Sequence, residues 1–372
     1  MRFVGALVWR ACPAAAGYRR LMSEQERRGL LPTSGSALKV ALAAVAAVSA
    51  VVASRVVLAR RRLMGPVLPE LRHPLLLVPV HFGPRSLRLI RRAPVPPGRI
   101  AAGIDVAQRS VPALGEHPGV EVFVYDGPAR SRPSGVLLWI HGGGFVMGHP
   151  ATYHELCSAF ASDVGIVVVS VDYRLAPEHP FPAGLEDCYA ALQWVHDHAD
   201  DLGVDRSRIA IGGDSAGGGL AAGLAQLAHD RAEVPVCFQL LVYPMLDDRT
   251  VLRTDHAGTG SFVWTPTSNA FGWTSYLGHP PVDDEDRPYA VPARRADLTG
   301  LPPAWIGVGD LDLFHAEDLE YAERLQAAGV PCQLEIVAGM YHAADALFRT
   351  SPAMNAFRAA GKDALSAALT ST

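Results

Sequence analysis

The chain has 372 residues, of which 49% are hydrophobic and 19% charged, a composition that suits a globular protein with one large core or one and a half domains. Its net charge of -4 gives no sign of nucleic-acid binding, and its five scattered cysteines, without a Cys-x-x-Cys pair, indicate neither a disulfide framework nor a zinc site. We therefore predict a reducing compartment, no cofactor and no metal ion.

Residues 1–70 differ from the rest and are predicted to form an N-terminal extension. Within it, residues 40–54 are an uncharged Ala/Val-rich run, followed by Arg55 and by three arginines at 60–62. The run is shorter than the about 20 residues of a spanning helix, and alanine is a weak membrane residue. A membrane-associated helix, a soluble helix, an export signal and a misassigned start remain alternatives. The arginines after the run favour a cytoplasmic main domain, membrane-associated through residues 40–54 if the helix enters a bilayer.

Residues 71–119 are rich in proline and predict short helices joined by loops, and residues 120–125 alternate as a half-buried strand does. Strands and helices alternate from there on. Further strands are predicted at 136–140, 166–171, 208–212, 236–243, 304–308 and 333–337. Helices are predicted at 153–163, 185–198, 215–230, 316–328 and 352–369. This alternation predicts an α/β fold with a mostly parallel sheet that helices cover on both faces.

One interval interrupts the alternation. Residues 245–301 contain no clear strand but gather five aromatic residues, which are Phe262, Trp264, Phe271, Trp273 and Tyr276. An insertion of this size after a strand usually lies above the carboxyl edge of the sheet, where such folds bind ligands. We predict that it forms part of a cap. A packed surface excursion is the alternative.

The segment around Ser215 carries the strongest chemical signal. An apolar run ends at Ile211, Gly213-Asp-Ser-Ala-Gly217 follows, and a helix of small residues begins directly after it. Gly-x-Ser-x-Gly between a strand and a helix is the context of a nucleophile elbow, a turn so tight that only glycine fits around the serine. The helix amino terminus favours negative charge that develops there. An ordinary glycine-rich turn with a capping serine is the alternative.

A serine hydroxyl needs a base, usually a histidine that a carboxylate orients, and in this setting the chain order is Ser, acid, His. Asp310 and Asp312 both follow the predicted strand at 304–308, where either could instead cap the next helix. His342 follows the last predicted strand on a loop that contains glycine, whereas His315 comes too early for this order. The predicted triad is therefore Ser215, His342 and one of the two aspartates.

A second glycine-rich loop, His141-Gly-Gly-Gly144, follows an early predicted strand. The oxyanion that forms during attack on a carbonyl needs preset N–H donors. Gly143 and Gly144 are best placed to supply them, together with Ala216, the residue after the nucleophile. A phosphate-binding role is disfavoured because no lysine follows. His141 is predicted to brace the loop rather than to transfer protons.

Three motifs together resemble the hormone-sensitive-lipase-like family of α/β-hydrolases, the bacterial family IV esterases. They are His141-Gly-Gly-Gly144, Tyr173-Arg-Leu-Ala-Pro-Glu-His-Pro-Phe-Pro182 and Gly213-Asp-Ser-Ala-Gly217. The aspartate before the serine resembles the branch named for Gly-Asp-Ser-Ala-Gly. The resemblance implies the α/β-hydrolase fold, with a mostly parallel eight-stranded sheet, helices on both faces and a helical cap. Residues 71–118 would form the N-terminal part of the cap and residues 119–372 the catalytic domain, with a cap insertion at about 245–300.

The family's acid stands in an Asp-Pro-Leu-Arg-Asp-Glu pattern, of which Asp312-Leu-Phe-His-Ala-Glu317 keeps the first and last residues. The resemblance therefore favours Asp312 over Asp310. The family histidine is usually followed by Gly-Phe, but Ala343 and Ala344 stand here. The second motif implies a scaffold around the oxyanion loop, made by Tyr173, Arg174 and Glu178.

The sequence thus predicts a carboxylesterase-type serine hydrolase that works through an acyl-enzyme. A family cap implies small ester substrates with short to medium acyl chains. An amidase, a lactonase or a carbamate hydrolase on the same triad remains an alternative. A non-catalytic ligand receptor is another, although the plant gibberellin receptors, which resemble this family, have lost the histidine that is present here. No nucleic-acid partner is predicted, and a homodimer is open by analogy with relatives.

Overall fold

The computed structural model describes residues 35–113, 118–128 and 130–370, and the side chains of residues 35–41 and 53 lie outside it. The expectations for residues 1–34 therefore fall outside the described residues. The chain divides between Arg61 and Arg62 into two compact units, which we describe separately.

The described part of the first unit is a long helix, α1, at Gly35–Leu63, whose last two residues belong to the second unit. The apolar run predicted at 40–54 lies within it, and the helix continues through Arg55 because arginine is a good helix former. Its segment Leu42–Leu63 contains an 18-residue stretch with a mean hydropathy of 2.2, of which nothing is buried, and is long and apolar enough to cross a bilayer by length and composition.

The second unit begins with short helices, as predicted, and then adds a strand that was not predicted. The helices are two 3₁₀ turns, Pro69–Leu71 and Pro74–Leu77, and α2 at Pro84–Ile90. Strand β1, Asp105–Val111, pairs antiparallel with β2, Val120–Asp126. The prediction of loops and helices was wrong for β1, because an edge strand with mixed polar residues lacks the apolar pattern of a buried strand. The last part of the range assigned to the cap therefore lies in the sheet.

The sheet has eight strands in the order β1-β2-β4-β3-β5-β6-β7-β8. The remaining strands are β3 Ser134–Ile140, β4 Val167–Asp172, β5 Val204–Asp214, β6 Phe238–Val242, β7 Ala304–Gly309 and β8 Cys332–Val337. Only the pairings of β2 with β1 and β4 are antiparallel. The prediction of a mostly parallel eight-stranded sheet is confirmed. Parallel pairing brings the carboxyl ends of β3, β5, β7 and β8 to one edge, where the candidate residues follow.

Helices cover both faces of the sheet. They are α3 His154–Phe160, α4 Ala183–Asp197, α5 Ala199–Leu202, α6 Ala216–Arg231, α7 Pro266–Leu277, α8 His315–Ala327, α9 Ala344–Leu347 and α10 Pro352–Thr370. Strand β3 is buried along its whole length and separates two apolar clusters. Its Leu138 side packs with α4, α6 and α8, and its Trp139 side with α3 and α10. Successive strand residues point to opposite faces, so β3 serves both cores.

Residues 245–301 contain no strand in the structure, as predicted, but they include α7 and two 3₁₀ turns, Asp248–Val251 and Pro292–Arg294. This insertion contacts the segment before α2. The backbone N–H of Phe82 donates to Ser268 Oγ at 2.9 Å, and the rings of Phe82 and Trp264 stack with centroids 5.8 Å apart. Such contacts support the assignment of both segments to one cap, which stays a prediction.

Candidate active site

Ser215 stands in a strained turn between β5 and α6. Its φ of 55° and ψ of -123° lie outside the usual regions for a residue with a side chain, at a cost of about 1–3 kcal/mol. A Cβ built on Gly213 would come within 2.5 Å of the Ile140 carbonyl oxygen, and one on Gly217 within 2.1 Å of the same oxygen. The turn therefore requires glycine on both sides of the serine, as the motif predicts for a nucleophile elbow.

Three predicted side chains meet at this turn. His342 Nε2 lies 3.0 Å from Ser215 Oγ, and His342 Nδ1 lies 2.8 Å from Asp312 Oδ2. The second carboxylate oxygen of Asp312 accepts the backbone N–H of Phe314 at 3.0 Å, and the carboxylate is fully buried. The arrangement is a serine hydrogen-bonded to an imidazole whose other nitrogen faces a fixed acceptor.

The second aspartate has a different partner. Asp310 Oδ1 accepts the backbone N–H of Gly339 at 2.6 Å, so it holds the loop that carries His342 without touching the imidazole. His315 begins α8 and, in the described part of the chain, forms no hydrogen bond with the serine. The geometry thus agrees with the choice of Asp312 that the resemblance favoured.

Aromatic rings enclose the imidazole of His342. Its centroid lies 4.8 Å from that of Tyr243, 5.2 Å from Phe314 and 6.3 Å from Trp264. Hydrogen bonds are stronger in such apolar surroundings than in water. The residue after the histidine, Ala343, has a φ of 57°, in the left-handed region that favours glycine. This backbone conformation accounts for the glycine that the family usually has there.

The glycine-rich loop is fastened to the turn by its first peptide. Tyr173 Oη donates to the His141 carbonyl at 2.9 Å, and the Gly142 N–H donates to Asp214 Oδ1 at 3.0 Å and to Tyr153 Oη at 3.1 Å. Tyr153 Oη in turn donates to Asp214 Oδ2 at 2.8 Å. Burial raises the pKa of Asp214 to about 7. The residue before the serine therefore ties the loop to the elbow.

The three predicted oxyanion donors lie on this loop and at the start of α6. Within the described residues, no group accepts a hydrogen bond from the backbone N–H of Gly143, Gly144 or Ala216. Gly143 has a φ of 128°, and a Cβ there would lie 1.9 Å from the Met147 carbonyl oxygen. Free N–H groups beside a nucleophile are what an oxyanion requires.

His141 packs within the loop. Its ring stacks on Tyr173 with centroids 4.4 Å apart, and its Nδ1 lies 2.9 Å from the Gly142 carbonyl oxygen. Burial lowers the pKa of His141 to about 4, so the imidazole is neutral at pH 7. These contacts fit the predicted bracing role.

The other residues of the second motif bind at different places. Arg174 pairs with the buried Asp187 at 2.8 Å, while Glu178 pairs with Arg91 of the N-terminal segment at 2.6 Å. Sequence reasoning assigned no role to Arg91 or Tyr153, because neither stands in a recognisable motif. Both become visible only through contacts between distant segments.

Comparison with known proteins finds similar proteins that are named as esterases or hydrolases. A family model described as the alpha/beta hydrolase fold matches residues 137–346. Esterase LipI of Mycobacterium tuberculosis is 38% identical over 252 residues, which are 63% of this chain and 78% of that protein. Ethyl acetate hydrolase of Pseudomonas putida is 34% identical over 218 residues, 58% of this chain and 67% of that protein. A solved structure named Bacterial Heroin Esterase is 37% identical and has a TM-score of 0.75, covering 83% of this chain and 99% of that one.

Proposed function

The chain belongs to the hormone-sensitive-lipase-like family of α/β-hydrolases and is a carboxylesterase-type hydrolase, and on that premise we propose that Ser215 is its nucleophile, His342 its general base and Asp312 the carboxylate that orients the base. The observation that carries this proposal is the hydrogen-bonded series from Ser215 Oγ through both nitrogens of His342 to Asp312.

The first half of the reaction is acylation. His342 Nε2 takes the hydroxyl proton as Ser215 Oγ attacks the ester carbonyl. Asp312 accepts a hydrogen bond from the Nδ1–H group of His342, which keeps Nε2 unprotonated as the base and stabilises the imidazolium that forms. When the carbonyl re-forms, the bond to the alcohol breaks, and the alcohol oxygen takes the proton from Nε2. The acyl group then remains on Ser215.

The second half is hydrolysis of that acyl-enzyme. A water molecule gives a proton to His342 Nε2 and attacks the acyl carbonyl, and the proton then returns to Ser215 Oγ as the acid leaves. In both halves the carbonyl oxygen becomes negative. The backbone N–H groups of Gly143, Gly144 and Ala216, which lack another acceptor in the described chain, are the donors we assign to it.

The substrates that we propose are small esters with short to medium acyl chains. The rings of Tyr243, Phe314 and Trp264 around His342 favour an apolar group beside the reacting carbonyl. The relative named ethyl acetate hydrolase supports a preference for small esters. The contact between Trp264 and the oxyanion loop also favours a narrow site.

The test measures hydrolysis of p-nitrophenyl esters from acetate to palmitate, with the matching p-nitroanilides as amide substrates. We expect kcat/KM to be highest between acetate and octanoate and the anilides to be poor substrates. Ser215→Ala should lose roughly 10⁶-fold in kcat. Activity of Ser215→Ala equal to the wild type would overturn the mechanism, and faster anilide than ester cleavage would overturn the substrate class.

A further inference from the structure

The segment between the first short helices and β1 has an unusual charge. Residues 71–104 contain six arginines and no aspartate or glutamate, although the whole chain has a net charge of -4. The nearest carboxylates in the sequence are Glu70 and Asp105. Positive charge is therefore concentrated in this part of the chain and not spread evenly along it.

Helix α2 arranges part of this charge on one face. Arg88 and Leu89 follow Arg85 by three and four residues within α2, which puts them on the same side of the helix. Arg92 lies in the turn directly after α2, where its backbone N–H donates to the Leu89 carbonyl at 3.3 Å. All four side chains are exposed, Leu89 by 63%, and no carboxylate in the described residues pairs with these arginines. We call these four residues the α2 outer face.

The opposite side of α2 holds the helix in place. Leu87 is buried against Val146 and Ala176, and Arg91 donates from Nε to the Val146 carbonyl and from Nη2 to the Ala176 carbonyl at 2.8 and 2.6 Å. Val146 belongs to the loop that carries Gly143 and Gly144. The α2 outer face is therefore presented to solvent by a helix whose inner side rests on the oxyanion loop.

The chemistry of this surface fits an anionic lipid bilayer. Exposed aliphatic side chains accompany the arginines along the segment, and they are Leu75, Val78, Val80, Ile90, Val95 and Ile100. Arginines beside exposed aliphatic groups suit the interface of a membrane, where headgroup phosphates pair with the guanidinium groups and the acyl boundary takes the aliphatic groups. A nucleic-acid surface would use the charge and leave these aliphatic groups in water. The long apolar helix α1 precedes the segment in the chain and points to the same partner.

We propose that the α2 outer face binds an anionic phospholipid surface and so holds the cap of the enzyme at the membrane. The contact would supply the active site with esters dissolved in the bilayer. This binding goes beyond the esterase mechanism, because it needs neither Ser215 nor His342.

The experiment uses the full chain and two kinds of phosphatidylcholine vesicle, one pure and one with 30 mol% phosphatidylglycerol. The test variant neutralises the three arginines of the α2 outer face: Arg85→Gln, Arg88→Gln and Arg92→Gln. The matched control neutralises three exposed arginines elsewhere: Arg109→Gln, Arg206→Gln and Arg253→Gln. We expect the test variant to bind phosphatidylglycerol vesicles about a hundredfold more weakly than the wild type, and the control to bind nearly normally.

Hydrolysis of soluble p-nitrophenyl butyrate reports whether each protein is folded and active. We expect the wild type, the test variant and the control to hydrolyse it at the same rate. If the test variant binds the anionic vesicles as tightly as the wild type, and residues 84–92 of the wild type exchange alike on both kinds of vesicle, the proposal is wrong. If the control loses as much affinity for the anionic vesicles as the test variant does, the effect is a general one of net charge, and the proposal is also wrong. The same holds if duplex DNA binds the wild type more tightly than the vesicles do.

Helix α1 alone could attach the chain to both kinds of vesicle. Hydrogen exchange followed by mass spectrometry decides that case, since it reports on each segment of the bound protein. We expect slower amide exchange in residues 84–92 with phosphatidylglycerol than with pure phosphatidylcholine, and no such difference in the test variant. Equal exchange in both vesicles would refute the contact.

Discussion

The indole of Trp264 occupies the space that a side chain on residue 144 would need. A Cβ built on Gly144 would lie 2.1 Å from Cη2 of Trp264, far inside contact distance. Trp264 belongs to the insertion at 245–301 and Gly144 to the loop after β3, so these two segments are packed together near His342. The φ of Gly144 is 60°, which adds a second reason for glycine at this position.

Gly144→Ala should therefore lower kcat for p-nitrophenyl butyrate by about 10²-fold, because displacing the loop removes a donor from the developing oxyanion. KM should change little, since the ground-state ester does not need that donor. Steady-state kinetics measure both. Gly103→Ala is the matched control, because Gly103 also has a positive φ, of 79°, but open space around its Cβ position.

The double variant Gly144→Ala/Trp264→Ala separates the clash from the strain. Removing the indole should restore part of the lost kcat, so the two substitutions should be non-additive. Strictly additive losses would show that the contact with Trp264 has no role in positioning the loop.

Asp312 and Asp310 offer a matched pair for the orienting carboxylate. Asp312→Asn should lower kcat by about 10⁴-fold, because an amide facing Nδ1 favours the wrong tautomer of His342. Asp310→Asn should lose less than about tenfold, since its oxygen can still accept the Gly339 N–H. Kinetics at pH 7.5 measure both variants, and a larger loss in Asp310→Asn would reverse the assignment.

Asp318 should make the stability of the fold depend on pH. It is fully buried, neither carboxylate oxygen has a hydrogen-bond partner in the described structure, and burial, with Glu317 and Asp312 nearby, raises its pKa well above the usual range. The folded state then keeps a proton that the unfolded chain loses near pH 4. Asp318 should therefore lower the free energy of unfolding as pH rises above 4, by about 1.4 kcal/mol per pH unit until its raised pKa is reached.

Asp318→Asn cannot ionise and should remove the part of this slope that Asp318 contributes. Urea unfolding at pH 5 and pH 8 measures the free energy of unfolding of both proteins. The value for the variant should rise relative to that of the wild type as pH rises. Asp201→Asn, at an exposed position, is the control and should follow the wild type. A variant curve parallel to the wild type would contradict a protonated Asp318.

Ala343 carries backbone strain next to His342. Ala343→Gly should raise the free energy of unfolding by about 1 kcal/mol, because glycine adopts a φ of 57° at little cost. Ala344→Gly, at the first residue of α9, should lower it by a few tenths of a kcal/mol to about 1 kcal/mol. Thermal unfolding of both variants checks the pair, and destabilisation by Ala343→Gly would show that this residue's methyl group contributes more than its strain costs.

The local motifs could be read from the chain because short-range sterics produce them. The glycines on both sides of Ser215 determine a tight turn, wherever that segment lies in the fold. The three successive glycines at 142–144 determine an open loop in the same way. Alternation of apolar strands with helices determined the parallel sheet in the same way. The parallel sheet then required the loops after β5, β7 and β8 to meet at one edge, so the order Ser, acid, His followed from the sequence.

Contacts between distant segments were decided only by the tertiary structure. Asp310 and Asp312 follow the same strand, and the turn after β7 determines which carboxylate meets His342. Strand β1 forms because β2 offers it a backbone edge, and its own residues carry little apolar pattern. Trp264 rests on Gly144, 120 residues away in the chain, because packing of the insertion at 245–301 onto the rest of the fold brings them together. Such contacts depend on how whole elements fill space, which no stretch of sequence specifies by itself.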